Sequence, residues 1–225
     1  MQAGRMRIKE NVILEPYLTT TIANSGGACM RTIKLLLGCI IITALSCGMA
    51  SADLTDVPLV WKADNNALLS DSTTLTVLLT HKIKLAPFGD SRSNKQEIGK
   101  NIEKAEVRTV TTKDNVAAWC TERMKDILRQ YGMSVVENDA TVIIKAELIN
   151  FYVTESSVYS AIVTLRVSAS DPKGKVLWQG VISAEAQRFG RSYKLENYQE
   201  SLSYAFLDAV KTLLNNQGFN AAIKK

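Results

Sequence analysis

YSAIVTLRVSASDPKGKVLWQGVISAEAQRF, Tyr159 to Phe189, alternates apolar and polar residues on both sides of a four-residue break. Tyr159, Ala161, Val163, Leu165, Val167 and Ala169 point one way; Ser160, Thr164, Arg166, Ser168 and Ser170 point the other. A period of two with one apolar side is a strand that buries one face. Asp171-Pro172-Lys173-Gly174 is a turn, with proline preset at its second position and glycine last. The return strand, Val176 to about Phe189, sets Trp178, Ile182 and Ala184 against Gln179, Ser183, Glu185 and Gln187. The segment is therefore a long antiparallel hairpin, dry on one face and wet on the other.

Upstream, Thr141 to Val153 begins apolar on both faces, as a central strand does. Leu75 to Leu85 reads as a strand, since Val77, Leu79, Ile83 and Leu85 share a parity and Pro87 then ends the ladder. Polar Gly89 to Lys104 reads as a loop, Val107 to Val110 as a short strand and Met133 to Val136 as a brief one. Between them, Asp114 or Asn115 caps a helix to about Tyr131, with Val116, Trp119, Cys120, Met124, Ile127, Leu128 and Tyr131 at helical spacing and Gly132 after it. A second helix is expected from a cap at Asn197, with Glu200 three residues on. Its stripe is Tyr198, Leu202, Ala205, Phe206, Ala209, Val210, Leu213 and Leu214. Two helices with one apolar stripe each, over a mostly antiparallel sheet with one apolar face, give an α+β two-layer sandwich with both helices on one side.

The front of the chain carries a different signal. Leu35 to Leu45 is an apolar run too short for a membrane span, which needs about 20 residues. Arg31 and Lys34 precede it and small residues follow, the order of a secretory signal peptide over 30–52. Two cleavage points fit: before Asp53, after Ala50-Ser51-Ala52, or before Cys47, where Leu45-Ser46-Cys47 resembles the lipobox of bacterial lipoproteins with Ala44 in place of the usual leucine. In the second case Cys47 is the lipidated residue. Residues 1–29 read as a non-native or disordered leader, with Met30 the better start; 53–74 read as a linker or loosely attached arm, and 75–225 as a single α/β domain.

Counted from Asp53, 22 basic residues face 20 acidic ones, a net of +2. So even a balance offers no basic footprint for nucleic acid. Cys120 is the one cysteine beyond the leader, which leaves no intrachain disulfide and no cysteine zinc site. It lies on the inner stripe of the first helix, as a small buried hydrophobe would. His81 is the single histidine and has no nucleophile or carboxylate at a useful spacing. Neither a glycine-rich phosphate loop nor a calcium loop is present in the sequence. Hence no catalytic residue, metal or cofactor is expected.

Two polar loops draw notice. Phe88-Gly89-Asp90-Ser91-Arg92 and Arg188-Phe189-Gly190-Arg191-Ser192-Tyr193 each join an aromatic, a glycine and arginine. Asp90, Arg92, Arg188 and Arg191 are thus candidate ligand-binding residues, since guanidinium groups hold carboxylates or phosphates by charge-assisted bonds. The plainer alternative is that the glycines permit tight turns and the arginines are solvated or pair with Asp90.

The order of these parts resembles a known family. The strand leading into Phe88-Gly89-Asp90-Ser91-Arg92, the later Ile98-Gly99, the helix ending in Gln130-Tyr131-Gly132-Met133, the strand into Phe151-Tyr152, the long hairpin, and Phe189-Gly190 before a final helix are together similar to the YajG-like bacterial envelope lipoproteins, over roughly residues 77 to 215. The resemblance implies an α/β domain tethered to the periplasmic face of the outer membrane, with no catalytic residues to carry over. The expected function is that of a non-enzymatic periplasmic or outer-membrane-tethered envelope protein. It would bind another protein or a cell-wall component through its open sheet face or its arginine loops. An auxiliary subunit of an envelope lipid or polysaccharide transport machine is the alternative.

Overall fold

The computed structural model describes residues 53–64 and 78–224. Its strands are β1 (Lys82–Leu85), β2 (Gly89–Asp90), β3 (Glu97–Asn101), β4 (Arg108–Thr111), β5 (Ser134–Val135), β6 (Val142–Glu155), β7 (Val158–Ser170) and β8 (Val176–Phe189). The helices are α1 (Val116–Gln130), between β4 and β5, then α2 (Leu195–Leu214) and α3 (Gln217–Ile223) after β8.

β6 is the axis of the sheet. On one side it pairs antiparallel with β7, which pairs antiparallel with β8. On its other side three short strands follow one another, all parallel to it: β1 beside Val142–Ile144, β2 beside Glu147 and Leu148, β3 beside Val153–Glu155. β5 flanks β1, and β4 flanks β3. The two long ladders make this eight-stranded sheet mostly antiparallel. A bulge between Leu148 and Asn150 shifts the register. Buried positions move there from Ile144, Ala146 and Leu148 to Phe151, Val153 and Glu155. The extra residue thus keeps the apolar side of a 14-residue strand on a single face.

The helices cover that face. Every residue of the expected stripe of α2, from Tyr198 to Leu214, is buried. α1 buries Val116, Cys120, Met124, Ile127 and Leu128, and Asn115 caps it by accepting from the Ala118 N–H. Where the layers meet, Trp119 lies edge-on to Phe151 at 5.7 Å and to Phe206 at 5.8 Å between ring centres.

Several elements depart from the expectations. Gly89 to Lys104 is not a loop, because β2 and β3 use its backbone to extend the sheet along β6. Gly99 permits this: a Cβ there would lie 2.7 Å from the Val153 carbonyl oxygen and 3.0 Å from the Tyr198 ring. The strand expected from Leu75 is confined to β1, with a helical turn at 78–80 before it; residues 75–77 lie outside the described residues. α2 begins two residues before Asn197, with Lys194 as a cap that makes no side-chain bond; Asn197 instead sits buried in the first turn. A third helix, α3, follows Asn216, whose side chain caps it through the Phe219 N–H. Phe219 meets Trp178 at 5.2 Å.

Residues 53–64 are firmly attached rather than loose. Leu54 bridges Val110 in parallel, and the Val57 N–H donates to the Thr111 carbonyl. The Lys62 N–H donates to Ser203 Oγ, Gln199 donates to the Pro58 carbonyl, and Trp61 packs on Trp119 at 5.9 Å. The segment begins against β4 and continues along α2. Residues 1–52 and 65–77, with Cys47 and both cleavage points among them, lie outside the described residues.

Candidate functional site

The outer face of β6, β7 and β8 carries exposed and half-exposed side chains along three long strands. Strand parity sends Lys145, Glu147, Ser160, Thr164, Arg166, Ser168, Gln179, Val181, Ser183, Glu185 and Gln187 away from the helices. Register aligns them into rows: Glu147 opposite Arg166 opposite Val181, and Lys145 opposite Ser168 opposite Gln179. These two rows line a shallow groove of about 490 Å³. Arg166 pairs with Glu147 across the strands, and one row on Thr164 and Ser183 share a hydrogen bond of 2.9 Å. Val181, 60% exposed, is an apolar side chain open to solvent at the groove. An opposite-charge pair, hydroxyls, an amide and one exposed valine form a surface suited to binding a polar partner of extended shape.

The first arginine loop is spent on its own architecture. The Arg92 guanidinium holds both Asp90 oxygens, from Nε at 3.0 Å and Nη2 at 2.9 Å. It also donates to the Lys95 carbonyl at 2.8 Å and the Glu97 carbonyl at 3.3 Å, and it lies over the Phe151 ring. Burial pushes the Asp90 carboxyl up, but the Arg92 bonds and charge outweigh it and leave the group below its ordinary value. Asp90 and Arg92 thus close the β2–β3 connection as a staple.

In the second loop, Arg188 points to the helix side, where it donates to Asn197 Oδ1 and pairs with Glu200 at 2.7 Å. Arg191 remains 67% exposed, with Glu103 at 3.8 Å. The loops are not one site. Asp90 stands beside Leu148, whereas Arg188 stands opposite Tyr159, whose β6 neighbour is Glu155. That separates them by seven residues of β6, about 23 Å at the rise of a strand, and by the width of two ladders.

Beneath the second loop is a polar cluster that the sequence reading missed. Glu155, fully buried, accepts from Tyr198 Oη at 2.7 Å and from the Tyr193 N–H at 2.9 Å. Burial pushes its carboxyl up, yet hydrogen bonds from Tyr198, Asn101, Tyr159 and the Tyr193 N–H prevail and hold it below the ordinary glutamate value. Burial and the same carboxylate push the Tyr198 phenol far up. The Tyr193 ring carries the Arg108 guanidinium 3.8 Å above it, and its hydroxyl accepts from the Leu54 N–H and donates to the Thr109 carbonyl. These bonds hold Tyr193 at φ 45°, a left-handed conformation that costs a non-glycine residue about 1–3 kcal/mol. The one available signal was parity: Glu155 follows Val153 on the inward side of β6. With tyrosines as its donors, the cluster joins β3, β4, β6, α2 and residue 54 as a structural knot. Cys120 is fully buried in the core, and burial pushes its thiol well up, away from the reactive thiolate.

No protein-family model matches the chain, and no curated protein matches it in sequence. In shape it is similar to a Xanthomonas campestris protein of the DUF330 family, with a TM-score of 0.50 and 10% identity over 76% of this chain and 93% of that one. At that identity the likeness is one of fold. A candidate lipoprotein of Caulobacter crescentus has a TM-score of 0.41 and 9% identity, over 71% of this chain and 98% of that one. Lipoprotein GNA1162 of Neisseria meningitidis has a TM-score of 0.29 and 10% identity, over 51% of this chain and 90% of the other.

Proposed function

We propose that this protein is a non-enzymatic lipoprotein of the bacterial cell envelope, of the YajG-like kind, held at the membrane by acylated Cys47. On this reading it binds a protein or cell-wall partner on the outer face of its sheet. The observation that carries the binding role is the uncovered face of β6, β7 and β8, with its aligned Glu147, Arg166, Val181 row and its groove of about 490 Å³. Both helices of the expected sandwich cover the opposite side, so this face is open along three long strands. The short basic-then-apolar segment ending at Cys47 supports export and lipidation.

Fractionation tests the anchor. Mass spectrometry of the membrane fraction should find an acylated N-terminal Cys47, and Cys47→Ala should release the protein to the soluble periplasm. A mature N-terminus at Asp53 would reject lipidation. For the binding role, sedimentation with purified peptidoglycan and pull-downs of envelope proteins should lose their partner when Arg166→Glu is introduced, and a partner retained undiminished by that variant would reject the sheet face.

A further inference from the structure

We infer that one rim of the domain, tipped by Phe189, Ile102 and Val107, is the surface that rests against the lipid bilayer. The register collects these residues. Asn101 pairs with Arg108 and with Glu155, Glu155 with Tyr159, and Val158 with Phe189, so the β3–β4 turn, the β6–β7 turn and the end of β8 emerge together. On this rim Phe189 is 90% exposed, Val107 57% and Ile102 42%. A water-exposed phenylalanine at one end of the rim, with two further apolar side chains on the β3–β4 turn across β6 and β7 from it, is an arrangement that gains by entering the headgroup boundary. Arg191, Lys104 and Lys194 stand exposed among them, interspersed with Glu103 and Glu106. The near balance of charge leaves the apolar tips as the main attraction, with the basic side chains long enough to snorkel to phosphates.

The chain's own path selects a bilayer as the occupant. Asp53 Oδ1 accepts from the Thr109 N–H and the Leu54 N–H donates to Tyr193 Oη, which fixes the start of the described chain at this same rim. Five residues separate Asp53 from Cys47, a reach of about 20 Å when fully extended. The opposite end of the hairpin, at Val176, lies about 43 Å away along β8. An acyl anchor on Cys47 therefore holds this rim close to the membrane, and the apolar tips then turn it inward. The inference rests on the lipidation proposed above.

The test uses the mature protein extracted from membranes and reconstituted into vesicles of phosphatidylethanolamine and phosphatidylglycerol. A fluorophore is placed at Phe189→Cys or, as control, at Val176→Cys. Cys120 is fully buried, and Cys47 is blocked once acylated. Brominated lipids should quench the label at 189 several-fold more than the label at 176, and adding Ile102→Ser with Val107→Ser should reduce that difference. Equal quenching at both positions would overturn the inference while leaving the anchor in place. Shielding of 189 from aqueous iodide without lipid quenching would overturn it in favour of a protein contact. Recovery of the protein outside the membrane fraction, with Cys47 absent or unmodified in its mass spectrum, would instead remove the anchor, and the inference with it.

Discussion

Arg92 and Glu155 show how a charged residue in this chain becomes structural. Each is buried, each finds several partners, and in each case removing one partner strands another. Arg92→Ala should cost about 3–5 kcal/mol in denaturant unfolding, because Asp90 would keep its charge in a place built for a guanidinium. Arg92→Lys should recover only part of that loss, since an ammonium cannot span both carboxylate oxygens and two carbonyls. Acid should weaken the same points. Asp90 and Glu155 both sit below their ordinary values of 3.8 and 4.5 in the fold. Their contribution is complete above those values and is lost as pH falls through the lower, folded ones. Unfolding free energy measured from pH 7 to pH 3 should stay level until about 4.5 and then decline. Glu155→Gln should flatten the slope at the cost of lower stability near neutrality. Asp208 works in the opposite direction, since burial raises its carboxyl despite Lys211 nearby. At this scale the sequence was partly legible. An aromatic, a glycine and an arginine do mark a strand end with a turn beside it, but whether the guanidinium faces a ligand or its own backbone depends on carbonyls of Lys95 and Glu97 that no spacing rule locates.

At the scale of elements, legibility followed length. The hairpin of β7 and β8 and the stripes of α1 and α2 were readable because a dozen or more residues repeat one period, with one face buried in β7 and at least half-buried along most of β8. β2 and β3 were not, since two and five residues with glycines and polar side chains carry no period; their strand state comes from β6 alongside. Gly99 marks that dependence. Gly99→Ala should destabilise by about 1–3 kcal/mol and loosen β3 from β6, visible as faster amide exchange at Lys100 and Asn101, because its methyl would meet the Val153 carbonyl. The segment 53–64 was misread for a related reason. Its composition is that of a linker, and its attachment depends on distant partners: Ser203 for Lys62, Trp119 for Trp61. Trp61→Ala should cost about 2–4 kcal/mol by emptying the contact with Trp119. A truly loose arm would lose almost nothing in the same thermal melt.

On the scale of the whole domain, the two surfaces proposed for binding, the outer sheet face and the Phe189 rim, lie apart. The rim at Phe189 gathers apolar tips at the end of the sheet where the described residues begin, whereas the outer sheet face sets out a polar mosaic along the strands toward the other end. On the proposed reading, a domain tethered at the rim holds β6, β7 and β8 outward from the bilayer, with the groove at Glu147, Arg166 and Val181 free to meet a partner. Those side chains carry little of the fold: Arg166 is 60% exposed and its partner Glu147 38%, and Val181 is 60% exposed. Exposed pairs of this kind contribute at most about 1 kcal/mol. Arg166→Glu with Val181→Asp should therefore leave the melting temperature within a few degrees of the parent while abolishing recovery of the partner. The paired change Glu147→Arg with Arg166→Glu, which reverses the ion pair but keeps it, separates fold from recognition further. It should restore any stability lost by Arg166→Glu alone without restoring the partner. A double reversal that regained both would show that the face serves only to keep its own strands in register.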